Sequence, residues 1–149
     1  MHKRRLLTTA VVLVGGIALT GCEKPPPAIT AFSGTDSVRS EALCWSFESP
    51  SLEPGECAEG ILQGTDFEGA PELEVRAGNV VGISVDTVIA DEGWIPAIGG
   101  QRLVNEPIEE TYVRFTFPSA QLPPQGVGLQ VLAGADLQVR GVWSVRLVA

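Results

Sequence analysis

The sequence predicts an all-β domain, an immunoglobulin-like β-sandwich of about seven to eight antiparallel strands. Three observations lead there. Short runs rich in Val, Ile, Phe and Trp alternate with polar residues, the period of a strand with one buried face. Gly, Pro, Asn and Asp separate those runs in the manner of turns. From Ile29 onward, helical periodicity is almost absent.

The first strand is expected over Ile29–Ser33 and, after Gly34-Thr35-Asp36, a short second one over Ser37–Ser40. Leu43, Trp45 and Phe47 share a face of the next strand, with Cys44 and Ser46 on the other. Pro50 and Pro54-Gly55 break the chain, and Ile61-Leu62-Gln63 is expected to pair briefly. Leu73, Val75 and Ala77 alternate with Glu72, Glu74 and Arg76, as Val81, Ile83 and Val85 do with Gly82, Ser84 and Asp86. Val113, Phe115 and Phe117 form another apolar face, and Val127, Leu129 and Val131 the next, before a turn at Gly134-Ala135-Asp136. The last run places Leu137, Val139, Trp143, Val145 and Leu147 together, with Gly141 interrupting the face as a bulge or a close approach.

The amino terminus reads as an address. His2-Lys3-Arg4-Arg5 precedes an apolar run from Leu6 to Leu19, too short for a membrane span of roughly 20 residues but suited to a secretory leader. Leu19-Thr20-Gly21-Cys22 then looks like a bacterial lipobox. In that arrangement the Cys22 thiol takes a diacylglycerol, and cleavage frees its amino group for acylation. The expected organisation is a leader over 1–21, a lipidated cysteine and proline-rich tether over 22–27, and one domain over 28–149. Pro25-Pro26-Pro27 should run as an extended spacer that adds nothing to the fold.

Of 10 basic residues, Lys3, Arg4 and Arg5 belong to the leader, so the mature chain carries 7 against 18 acidic residues, a formal charge of −11. Such a surface repels phosphate backbones and excludes nucleic-acid binding as an expectation. With no basic patch for anionic lipid, the membrane is expected to hold the chain through Cys22 alone. Once Cys22 is assigned to lipid, Cys44 and Cys57 remain as a pair in an oxidising compartment, expected to form a structural disulfide. Alternation puts Cys44 opposite Trp45, so the bond should tie a strand to its following loop rather than pin the core.

Catalytic machinery is sparse. The one histidine, His2, lies in the leader, which removes Ser-His-Asp, Cys-His and His-based zinc chemistry from the domain. Lys24 in the tether is the one lysine left after it, so lysine-based covalent chemistry has no participant on the domain. Glu48, Glu53, Glu56, Glu59, Asp66, Glu68, Glu72 and Glu74 follow one another with no basic residue between. Calcium coordination around Asp66 and Glu68 competes there with a solvated acidic face, and the calcium-loop spacing is missing. No metal site, cofactor or enzymatic activity is therefore expected.

Asp91 to Gly100 (DEGWIPAIGG) is read as a loop at a strand end. Trp94, Ile95 and Ile98 in it are the candidate partner-binding residues, since a Trp that fills a pocket anchors interfaces. The alternative is that Trp94 closes one end of the sandwich core.

The lipobox, the proline tether, Cys44-Trp45 with Cys57, Val85-Asp86 leading to Ile89-Ala90-Asp91-Glu92-Gly93-Trp94, and the closing Trp143-Ser144-Val145 together resemble a family of small actinobacterial lipoproteins known as a domain of unknown function. The resemblance implies a Gram-positive, high-GC host and a single extracytoplasmic β domain, and it carries over no catalytic or ligand residues. The expected role is a lipid-anchored, non-enzymatic binding module of the cell envelope with a protein partner. The alternative is an envelope protein that binds a small ligand or a calcium-like ion.

Overall fold

The computed structural model describes residue 21 and residues 24–118, 122–134 and 138–149. Residues 1–20 of the leader, Cys22, and Ala135, Asp136 and Leu137 of the last predicted turn and strand lie outside them.

Ten strands and two short helices follow in order among the described residues: β1 (Ala28–Ser33), β2 (Asp36–Glu41), β3 (Cys44–Trp45), α1 (Glu59–Leu62), β4 (Glu72–Glu74) and β5 (Val80–Val85) come first. Then come α2 (Thr87–Glu92), β6 (Trp94–Ile98), β7 (Gln101–Arg102), β8 (Tyr112–Thr116), β9 (Val127–Ala133) and β10 (Gly141–Val148). One sheet has the order β2-β1-β5-β8 and the other β3-β10-β9-β6-β7, giving the two-layer all-β sandwich that the alternation predicts. Pairing is antiparallel except between β4 and β10, which run parallel with Leu73 opposite Leu147. The strand count exceeds expectation partly because β3 and β7 are two-residue strands.

Register explains the core. In the first sheet Ile29 faces Val85 and Ala31 faces Ile83. In the second, Trp143 and Pro96 flank Val131, while Val145 and Ile98 flank Leu129. These inward rows, joined by Leu73, Val75 and Trp94, fill the space between the sheets. A fully buried side chain of this size contributes about 1.5–3 kcal/mol.

Three expectations give way to local physics. Residues 61–63 do not pair in a sheet: Ile61 and Leu62 belong to α1, whose turn closes through Leu62 N–H to the Ala58 carbonyl at 3.1 Å. The stretch from Asp91 to Gly100 is not a loop but the end of α2, a tight bend at Gly93 and the whole of β6. Gly93 has φ +76°, where a side chain would be strained, and it swings the chain from helix to strand. Finally, the tether joins the fold. Pro27 is buried, and its carbonyl accepts the indole N–H of Trp143 at 2.8 Å. The Ala28 N–H beside it donates to the Asp86 carboxylate at 2.8 Å.

The interruption at Gly141 is a close approach of aromatic rings. A Cβ there would lie 2.5 Å from the Trp45 ring and 2.6 Å from Cη2 of Trp143. Both rings are held, Trp45 by the Arg140 guanidinium 4.7 Å above it and Trp143 by its bond to Pro27. Gly141→Ala should therefore destabilise the domain by about 1–3 kcal/mol through overpacking. Urea denaturation checks this: the midpoint should fall with an unchanged slope, and an unchanged midpoint would contradict the packing described.

Candidate functional site

Strand alternation sorts the three candidate residues of β6. Trp94 and Ile98 point with Pro96 into the core, and Ile95 points out. Trp94 is 0% exposed, and its Nε1–H donates to the Glu110 carbonyl at 2.9 Å. It closes the core and presents nothing to a partner, which corrects its candidacy as an exposed anchor. Ile98 is half-buried with its side chain packed against the same core, which corrects its candidacy as an exposed contact. Ile95 alone of the three lines a surface cavity.

That cavity arises because the second sheet is apolar on both faces. Across its outer face, Ile95 lies opposite Leu132, Leu132 opposite Val142, and Val142 opposite Cys44. The segment between Ser46 and Asp66 covers the Val142 end. Cys57 is bonded to Cys44 with 5.7 Å between their Cα atoms, and Leu52 and Ile61 pack over Val142. The Leu52 N–H donates to the Val139 carbonyl at 2.7 Å, and the buried Gln130 amide donates to the Ile61 carbonyl. The disulfide thus fastens a strand to its own following loop on the outer face, as the parity of Cys44 predicts.

The cover stops short of the Ile95 end. A cavity of about 190 Å³ remains there, with Ile95, Leu132 and Val139 as its apolar wall and Arg102, Asn105 and Gln138 at its polar positions. Arg39, Arg76, Arg140 and Arg146 each have a carboxylate partner. Arg102 has none among the described residues and is exposed. An apolar recess beside a free guanidinium suits a group that combines hydrocarbon with a carboxylate.

The sequence pointed to Ile95 for its neighbourhood rather than for its outward direction. Arg102 and Asn105 had no sequence signal, because they reach the cavity only when β7 and the following loop fold against the segment before β10. Val139, expected on the face of Trp143, turns instead to the outer face beside Val142. The acidic run does not converge: among the described residues no group of three His, Cys, Asp or Glu is placed to hold a metal ion. The Asp66 carboxylate instead accepts the Glu68 N–H at 3.1 Å, capping its own turn. Among the described residues, no helix is long and apolar enough to cross a membrane.

No protein-family model, curated protein or solved structure matches this chain. The resemblance to small actinobacterial lipoproteins accordingly rests on the motifs quoted above.

Replacing Trp94 and replacing Arg102 should have different effects on stability. Trp94→Ala is expected to cost about 3–5 kcal/mol by opening the core. Arg102→Glu, at an exposed rim position, should stay within about 0.5 kcal/mol of the parent. Thermal melts of the two variants check the assignment, and a Trp94 variant as stable as the parent would return that residue to the surface.

Proposed function

We propose that this chain is a lipid-anchored extracytoplasmic protein of a Gram-positive cell envelope, whose domain is a non-enzymatic binding module for a protein partner. The observation that carries the binding role is the cavity walled by Ile95, Leu132 and Val139 beside Arg102. Its size favours a protein over a free ligand: about 190 Å³ falls below the roughly 300–1,000 Å³ of small-molecule sites. A single apolar side chain of a partner fits, with a neighbouring partner carboxylate meeting the Arg102 guanidinium. Interfaces concentrate their energy in such anchored side chains.

The address rests on Leu19-Thr20-Gly21-Cys22 behind a basic, apolar leader. Two or more acyl chains give stable anchoring, at about 0.8 kcal/mol for each buried methylene. The absence of histidine from the mature sequence and of lysine from the domain supports a role without catalysis.

Two measurements test this reading. A mass spectrum of the protein taken from its own membranes should show lipid mass on Cys22. A photo-crosslinking residue placed at Asn105 in living cells should then form a discrete protein adduct that Arg102→Glu reduces at least fivefold. The same residue at exposed Val80, on the other sheet, should not form it. Equal adducts from both positions, or an adduct indifferent to Arg102, would remove the cavity from the binding site.

A further inference from the structure

The docked tether decides which end of the domain faces the bilayer. Lys24, Pro25 and Pro26 form one wall of a second recess of about 250 Å³, whose other walls include Trp45, Phe47, Val88 and Arg140. Pro27 is buried behind them and bonded through its carbonyl to Trp143. We infer that the Trp45–Phe47–Arg140 end of the sandwich rests on the lipid surface, and that the chain is seated there rather than swinging on a free spacer. This inference rests on the lipidation of Cys22 proposed above.

Chain geometry supplies the first reason. Undocked, the six residues 22–27 would extend about 19 Å at the polyproline rise. With Lys24 and the prolines already at the recess wall, only the two steps from Lys24 back to Cys22 remain, spanning at most about 7 Å. An acylated Cys22 lies at the headgroup level, so it draws the recess and its rim to that depth. Phe47 stands on this rim, 50% exposed, with its ring 6.4 Å from that of Trp45. Aromatic rings of this kind settle at the water–hydrocarbon boundary of membranes.

Charge supplies the second reason. Around the recess, Lys24, Arg39 and Arg140 are balanced by Glu41, Asp86 and Glu92. The mature chain as a whole carries 7 basic and 18 acidic residues. An anionic bilayer therefore repels this balanced end less than it repels the chain's average, strongly acidic surface. The Arg140 guanidinium is already committed to Glu92, to the Ser46 carbonyl at 3.1 Å and to the face of Trp45. That network holds the aromatic rim rigid and leaves Lys24 free to reach lipid phosphate.

The test uses the lipidated full chain in vesicles of phosphatidylcholine and phosphatidylglycerol with brominated acyl chains, which quench nearby indoles. The protein's mass is measured first to establish the lipid on Cys22. Quenching should then be carried by Trp45: its emission should fall at least twofold, and Trp45→Phe should remove most of the effect. Phe47→Asp changes an exposed side chain, so it should keep the parent melting temperature while weakening quenching at least twofold. A lipidated protein bound to vesicles with Trp45 unquenched would overturn the orientation and leave the anchor standing. A protein with no lipid on Cys22 would overturn both.

Discussion

The indole N–H of Trp143 lies in the middle of the sandwich, where water does not reach, and it donates to the carbonyl of Pro27. An unpaired donor at that depth costs about 1–3 kcal/mol, so this bond fixes where the folded chain begins. Proline suits the acceptor position because it offers a carbonyl without an N–H that would need its own partner. The same ring decides Gly141, since only a residue without Cβ leaves room for Trp143 and Trp45 to lie 5.7 Å apart. Trp45 in turn gives Arg140 a face to stack on, and Arg140 holds the carbonyl of Ser46 as the chain leaves β3. One buried aromatic thus links the tether, the start of β10 and the entry to the disulfide loop.

A second constraint comes from the sheet behind Trp143. Its inner face fills the core, and its outer face carries Val142, Leu132 and Ile95, which also need cover. A 13-residue disulfide connection supplies that cover without a third layer of secondary structure. On the chain-entropy model, a loop of this length contributes about 3 kcal/mol when closed, enough to hold the irregular stretch up to Cys57, after which the single-turn α1 continues the cover. The cavity is the part of the outer face that this loop does not reach. Its location follows from loop length and strand register, and no special residue type marks it.

Much of the architecture was legible because alternation is a direct consequence of strand geometry. β5, β9 and β10 follow the pattern of their apolar residues, and the parity of Cys44 against Trp45 correctly placed the disulfide outside the core. β6 was hidden by Pro96, which normally argues against an interior strand. The register shows why it is tolerated. Trp94 directs its N–H and carbonyl away from β9 to Ile108, and Pro96, two residues on, shares that direction, its carbonyl accepting the Leu103 N–H. The missing N–H of Pro96 therefore falls on the sparsely paired side, and the β9 ladder loses nothing. α1 and α2, of four and six residues, are too short to express a 3.6-residue period. The docking of Pro27 was illegible for a different reason: composition reports that a proline run is stiff, and only the position of Trp143 reports what it leans on.

Val139 and Arg140 join the two surfaces. They lie just before β10, out of phase with its alternation, and the first walls the Ile95 cavity while the second walls the tether recess. Both surfaces therefore lie at the same end of the second sheet, where β9 closes and β10 begins. In the orientation proposed above, a tether lining the recess brings the cavity close to the bilayer. Under that proposed orientation, a partner that reaches Ile95 and Arg102 approaches along the membrane. The proposed lipid contact and the proposed partner site are thus tied together by one local fact, the opposite directions of Val139 and Arg140 in the short segment that leads into β10.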